Sequence, residues 1–465
     1  MRPESTVNVP VPPPITTMFF FFDIFIFLLY TEKGKKERSK KIIKNMAENF
    51  IIRGGVPLSG TVTVSGYKNA AGAILAASLL TEKESVIDNV PLVSDVLNQI
   101  EMMEKMGAKI EWLGRNKIKI DPKNIDPKRI SSELFEKMRV SVLMIGPLLT
   151  RFKELRVPKP GGDKIGLRPI TTHLEALKNF GVKIQEKDGF YIFKAPQKMT
   201  GKRIVLKEFS VTATENLMMM AVLVKGKTKI EIAAAEPQVQ DLGKMLINMG
   251  ADIKGVGTHT IEIEGVKELS GAKHSICSDP LEVGAFMVAM AITGGSGTIK
   301  NVCPDHLSFF FEKMKEIGVN FNVLEDSILM KPCGKFKATK IQALPYPGFP
   351  TDLQPHISVL LTQAEGKSLI HEPLYENRFL YMQELRKMGA DIEVTDPHRA
   401  LIFGKRTLLG GNKMISSDIR AGAALVLAAL TSKGESIVSG VSQINRGHED
   451  LVKKLRHLGA NIREV

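Results

Sequence analysis

The chain has 465 residues, 43% of them hydrophobic and 25% charged, which excludes a disordered or fibrous protein and exceeds what one ordinary hydrophobic core can hold. Its net charge of +14 comes from lysines and arginines scattered along the whole length; with one Trp and six Tyr, base stacking has little support, and no nucleic-acid partner is expected. Cys277, Cys303 and Cys333 fall at no metal-ligand spacing, and the nine histidines form no paired cluster, so neither a disulfide framework, a metal nor a cofactor is implied and a reducing compartment fits.

Residues 18–30, MFFFFDIFIFLLY, are an apolar run interrupted by Asp23. It is shorter than the roughly 20 residues that span a bilayer. Pro-rich sequence precedes it and lysine-rich sequence follows, opposite to the layout of a secretory signal. Residues 1–45 therefore read as an extension outside the core, with Met46 the preferred start, and no stable membrane association is expected.

From residue 50 onward one unit recurs. An amphipathic helix ends in Gly and continues into an alternating strand, in MEKMGAKIEW, LKNFGVKIQE, LINMGADIKG, MKEIGVNFNV, LRKMGADIEV and LRHLGANIRE. The glycines, Gly107, Gly181, Gly250, Gly318, Gly389 and Gly459, recur every 68 to 74 residues. Glycine after a last helical turn is the usual left-handed terminator, so each copy predicts helix, turn and strand. In phase with it runs a second motif, an Ala/Leu/Met-rich helix followed by a turn and a strand, as in AAGAILAASLLTEKESVIDNVP and RAGAALVLAALTSKGESIVSGV; the copy SVLMIGPLLTRFKELRVPKPGG is looser. These helices are apolar nearly all round and are predicted to be buried, whereas the Gly-terminated helices keep a wet face. Six periods leave no room for other domains.

Residues that break the repeat are where chemistry belongs. In SGYKNAAG, Lys68 and Asn69 open a buried helix, an anion site or an ordinary cap. In VPKPGGDKIGLRP, Asp163 stands in a glycine-rich loop among Lys159, Lys164 and Arg168, as a proton donor on a lid or as a turn aspartate. Asp352 in FPTDLQ immediately precedes the next buried helix, where N-capping is the plain reading. Arg139, Arg378, Arg420 and Arg446 lie at repeat junctions; their forked donors suit phosphate and carboxylate if they converge.

Together these segments resemble the UDP-N-acetylglucosamine 1-carboxyvinyltransferases, a family of enolpyruvyl transferases. The likeness runs from Met46 to Val465 through GGVPLSGTVTVSGYKNAA, MRVSVLMIGPLL, PGGDKIGLRP, SVTATEN, FPTDLQ, YENRF, SSDIRA, INRGHE and LGANIREV. It implies an α/β fold, a two-domain inside-out α/β barrel of six repeated βαβαββ-type units. One domain would comprise residues 46–67 with 278–465, the other residues 68–277 with the loop 157–169. It further implies transfer of the enolpyruvyl group from phosphoenolpyruvate to the 3′-hydroxyl of UDP-N-acetylglucosamine, the first committed step of peptidoglycan synthesis, in the cytoplasm. By that resemblance Asp163 is the proton donor and Asp352 the base. Lys68, Asn69, Arg168, Arg420 and Arg446 cradle phosphoenolpyruvate. Arg139, Arg168 to Thr172 (Arg168, Pro169, Ile170, Thr171, Thr172), Ser210, Val211, Asp352, Leu374 and Arg378 lie toward the substrates, the UDP-sugar above all.

Two departures stand out. The family's usual loop cysteine is Asp163 here. An aspartic acid can protonate carbon if held neutral, which an anionic substrate in a closed site favours and Lys164 and Arg168 oppose. Thioether formation should be lost, so insensitivity to fosfomycin, an epoxide, is expected. Second, Glu208 stands where a lysine usually faces the nucleotide, and Lys207 could substitute by a one-residue shift. Rival readings are transfer to shikimate 3-phosphate, whose sister family has an LPGSKS-like first motif, and a basic, non-enzymatic binding protein.

Overall fold

The computed structural model describes residues 48–163 and 165–465. The N-terminal extension with its apolar run, the preferred start at Met46, and Lys164 lie outside the described residues. Among the described residues no helix is long and apolar enough to cross a membrane.

The six Gly-terminated helices form at Ser94–Met106, Thr171–Asn179, Pro237–Asn248, Ser308–Ile317, Leu380–Lys387 and Leu451–His457. Their six terminal glycines all have positive φ, from 82° to 111°. Without a Cβ the residue enters this region cheaply, and the chain reverses from helix into strand. In the first of these helices Met103 and Met106 are buried while Glu104 and Lys105 are exposed, which is the wet-faced pattern. The second motif gives six interior helices, Lys68–Ala77, Ile145–Phe152, Val211–Ala221, Pro280–Ile292, Gln354–Leu361 and Ile419–Thr431. All 13 residues of Pro280–Ile292 are buried, because a helix apolar on every side is stable in water only when surrounded.

Sheets do the surrounding. Six are present among the described residues. Three draw their strands from residues 85–275 alone, and three from residues 49–63 together with 296–464. The strand Asn49–Arg53 pairs antiparallel with both Glu435–Ser439 and Asn461–Glu464, and Ser59–Thr63 runs parallel to Ser296–Lys300. The helices Pro280–Ile292, Gln354–Leu361 and Ile419–Thr431 pack on one another; Val211–Ala221 packs on Ile145–Phe152, and Lys68–Ala77 on the turn Val140–Met144 that leads into the latter. Helices inside and sheets outside make the inside-out α/β architecture that the resemblance implied.

The loosest sequence copy is also the irregular one in space. Its sheet, Glu154–Pro158, Phe190–Lys194 and Lys183–Lys187, has three strands, all antiparallel, where the other five have four or five with a parallel pair. After Pro158 the chain spends its residues on the loop that carries Asp163 instead of on another strand.

Candidate active site

The interior helices present their N-terminal ends together with the residues singled out from the sequence. Lys68 is the first residue of its helix, Arg139 precedes Val140–Met144, Ser210 and Val211 open Val211–Ala221, Asp352 lies in the turn Thr351–Leu353 ahead of Gln354–Leu361, and Arg420 is second in Ile419–Thr431. Unpaired N–H groups and the positive end of the dipole favour negative charge at each of these ends.

Asp352 does not cap its helix. Its carboxylate receives Arg378 Nη2 at 2.6 Å and Arg420 Nε at 3.1 Å. Both arginines are buried, so these are charge-assisted bonds in a poorly solvated place. Burial pushes the Asp352 carboxyl up, but Arg420 and Arg378 outweigh it and hold the group well below the ordinary carboxylate range. Asp418 caps the Arg420 helix through the N–H groups of Arg420 (2.8 Å) and Ala421 (2.9 Å), fixing where that guanidinium starts. On its other side Arg420 Nη1 lies 3.4 Å from His448 Nε2. Burial, and then Arg420, push His448 well below its usual range, so the ring is neutral and accepts. Glu372 ties the Asp352 turn to the segment after it, accepting Thr351 Oγ1 at 2.7 Å and the N–H of Leu374, an exposed residue, at 3.1 Å.

A second set of charges runs from the first interior helix to the loop. Lys68 Nζ meets Asp95 Oδ2 at 3.0 Å; Arg446 Nε meets Asp95 Oδ1 at 2.9 Å; and Arg446 Nη1 donates to Asp163 Oδ1 at 2.5 Å. Asp163 therefore spends its carboxylate on a guanidinium, which decides against a merely self-capping turn. Asn69 is placed beside Lys68 but donates to Tyr67 Oη at 3.2 Å, so its amide faces back along the helix start. Arg420 meets His448, two residues after Arg446, which brings the second set beside the first; Tyr67 feels the charges of Asp279, Asp352 and Arg420, and His448 that of Lys68.

The loop is rooted on both sides. Arg139 donates to the carbonyls of Arg168 (2.5 Å) and Pro169 (3.1 Å), and burial followed by the nearby Arg168 pulls its own guanidinium down to about 10. Gly162 has φ +126°, and a Cβ there would stand 2.8 Å from Arg139 Cβ, so glycine is required for the chain to pass. Farther along, Asn377 N donates to Ile165 O at 3.1 Å, which brings the loop to the segment that carries Arg378. Arg168 and Arg378 both approach one aromatic ring, 5.9 and 6.0 Å from the Tyr375 centroid. Ile170 is buried at the start of Thr171–Asn179 and Thr171 is exposed.

Several participants were invisible in the sequence. Asp95 in VSDVLNQ reads as an acidic first-turn residue and nothing more; its role comes from Arg446, 351 residues away. Glu208 has a definite partner, accepting Thr172 Oγ1 at 2.7 Å. The expected shift of Lys207 into the lysine position gains no support, since Lys207 pairs with Glu175 at 3.0 Å. The three cysteines are free and half-buried, and burial raises all three thiols.

Comparison with known proteins gives this arrangement its relatives. Residues 52–455 match the family model described as EPSP synthase (3-phosphoshikimate 1-carboxyvinyltransferase). The chain is 43% identical over 421 residues to the UDP-N-acetylglucosamine 1-carboxyvinyltransferase of Koribacter versatilis, covering 90% of this chain and 96% of that one. It is 44% identical over 416 residues to the enzyme of the same name from Halothermothrix orenii, covering 90% and 99%. The chain belongs to the UDP-N-acetylglucosamine 1-carboxyvinyltransferase family. Among solved structures, the enolpyruvyl transferase NikO from Streptomyces tendae superposes with a TM-score of 0.82 at 26% identity, over 90% of this chain and 99% of that one. EPSP synthase from Acinetobacter baumannii, at 20% identity and a TM-score of 0.70 over 90% of this chain and 100% of its own, shares the fold. Membership makes the chain an enolpyruvyl transferase enzyme.

Proposed function

We propose that the chain transfers the enolpyruvyl group of phosphoenolpyruvate to the 3′-hydroxyl of UDP-N-acetylglucosamine, releasing phosphate, as the first committed step of peptidoglycan synthesis in the cytoplasm. The observation that supports the reading is a pair of adjoining charge clusters, Lys68 and Arg446 with Asp95 and Asp163, and Arg378 and Arg420 with Asp352, linked where Arg420 meets His448, two residues after Arg446. Such a cluster of cations is suited to a small molecule bearing both phosphate and carboxylate. We take the two lobes as residues 46–67 with 278–465 and residues 68–277; support comes from the sheets, none of which mixes strands across that division.

In the addition step the sugar oxygen bonds to C2 of phosphoenolpyruvate, its proton passes to Asp352, and C3 gains a proton from Asp163. In the elimination step C3 returns a proton to the Asp163 carboxylate, the C–H electron pair forms the C2–C3 double bond, the bond from C2 to the phosphate oxygen breaks, and phosphate leaves. Lys68 and Arg446 hold the phosphate, with Arg168 and Arg420 beside it. Asp352, between two guanidiniums, is ionised but weakly basic; an incoming carboxylate that draws Arg420 or Arg378 toward itself leaves Asp352 a better proton acceptor. Arg139, Pro169, Ile170, Thr171, Thr172, Ser210, Val211 and Leu374 line the nucleotide side.

Phosphate release on mixing the enzyme with phosphoenolpyruvate and UDP-N-acetylglucosamine, and none with shikimate 3-phosphate, is the expected result; the reverse preference would reassign the acceptor, and release with neither would remove the enzymatic reading. Because Asp163 replaces the thiol that opens an epoxide, fosfomycin is expected to leave the protein mass unchanged after incubation. A stoichiometric adduct in the intact mass would contradict this.

A further inference from the structure

Both cations of the proposed phosphate cradle already have an anion. Asp95, in the first turn of Ser94–Met106 and with only 6% of its side chain exposed, takes Lys68 at 3.0 Å and Arg446 twice, at 2.9 and 3.4 Å. Nothing else about the helix requires this: its N-cap makes no side-chain bond, and a dipole needs only an exposed carboxylate. A cradle built solely to bind a phosphate as tightly as it could would leave such a charge out, because the carboxylate repels whatever anion those two cations hold. Yet the same bonds aim Lys68 and Arg446, which come from distant parts of the chain, at a common point.

On the reading of the site given above, we infer that Asp95 is a positioning residue that aligns Lys68 with Arg446 and, as an internal competitor for both, keeps the cradle weak enough to release inorganic phosphate. Phosphoenolpyruvate has a carboxylate to engage further arginines and is retained; inorganic phosphate has only the cradle and leaves. The competition costs affinity for both but falls hardest on the product.

The test is Asp95→Asn, which keeps the shape and one acceptor oxygen while removing the charge. Binding of inorganic phosphate to the full chain is measured by titration calorimetry, beside steady-state kinetics. The expected result is a phosphate Kd lowered at least about tenfold, as loss of a full negative charge a few ångströms away requires. It is accompanied by a fall in kcat and by a KM for the UDP-sugar within about threefold of wild type. A residue with a merely structural role would weaken phosphate binding or leave it alone, and either outcome overturns the inference. Should the Asn variant not fold, Asp95→Glu retains the charge and is expected to keep phosphate Kd within about threefold of wild type; a tenfold tightening there would equally overturn it. Phosphate binding needs no turnover, so failure here is distinct from failure of the transfer reading, which shows as wild-type enzyme that releases no phosphate from the substrate pair.

Discussion

Asp352 and Asp163 are each held by arginine, on unlike supports. Asp352 stands on a short turn at the head of a buried helix, held by two guanidiniums that are 2% and 3% exposed. Asp163 stands on a glycine-bearing loop and is held by one guanidinium, Arg446, that it shares with Asp95. The first is fixed in place and in charge by the packed core. The second is fixed by a partner that a substrate anion can take away. On the proposed mechanism, one residue type would serve opposite ends of a proton transfer because its support, not its chemistry, differs.

Exchanging each for its amide breaks the comparison most directly. Asp163→Asn is expected to lower kcat by about a thousandfold, within the range for a lost general acid, while calorimetric binding of the UDP-sugar persists. Its melting temperature stays near wild type, since Arg446 keeps Asp95. Turnover near the wild-type rate would remove Asp163 from the proton-donor role. Asp352→Asn is expected to behave the other way in stability: with Arg378 and Arg420 deprived of the carboxylate that both bond in the interior, unfolding free energy falls by about 3 kcal/mol, read by urea titration. A variant as stable as Asp163→Asn would show that the two supports are not different in kind.

A smaller effect separates the regions by pH. Burial, then Arg420, pulls His356 down to about 3, and the same two influences push His448 down. Below pH of about 6.5 an unfolded chain protonates these histidines while the folded chain does not. Their contribution is therefore complete above pH 6.5 and is lost as pH falls below it, down to about 3 for His356, at up to about 1.4 kcal/mol per pH unit for each ring. Urea midpoints are expected to drop between pH 7 and pH 5, and less steeply in His356→Phe. Equal slopes in variant and wild type would show that His356 already titrates in the fold.

Much of the fold was legible locally. The six glycines announced their left-handed turns, and the all-round apolar runs announced helices that only an interior can hold, because a terminator and a hydrophobic face are both properties of a few adjacent residues. Arg139, Arg378, Arg420 and Arg446 could be picked out as repeat-breaking cations, and Asp163 and Asp352 as out-of-place acids. Asp95 and the Glu208 contact with Thr172 could not, since an acidic residue near a helix start or in a loop looks ordinary until its partner is known.

By itself, then, the sequence determined the repeat, the placing of six helices inside and the stock of charges available for chemistry, all of which follow from spacing and local preference. Only the tertiary structure decided which charges meet: that Arg446 lies between Asp95 and Asp163, and that Arg378 and Arg420 both close on Asp352. Electrostatic energy depends on separation in space and on the water excluded between the groups, and neither quantity is written in the order of residues along the chain.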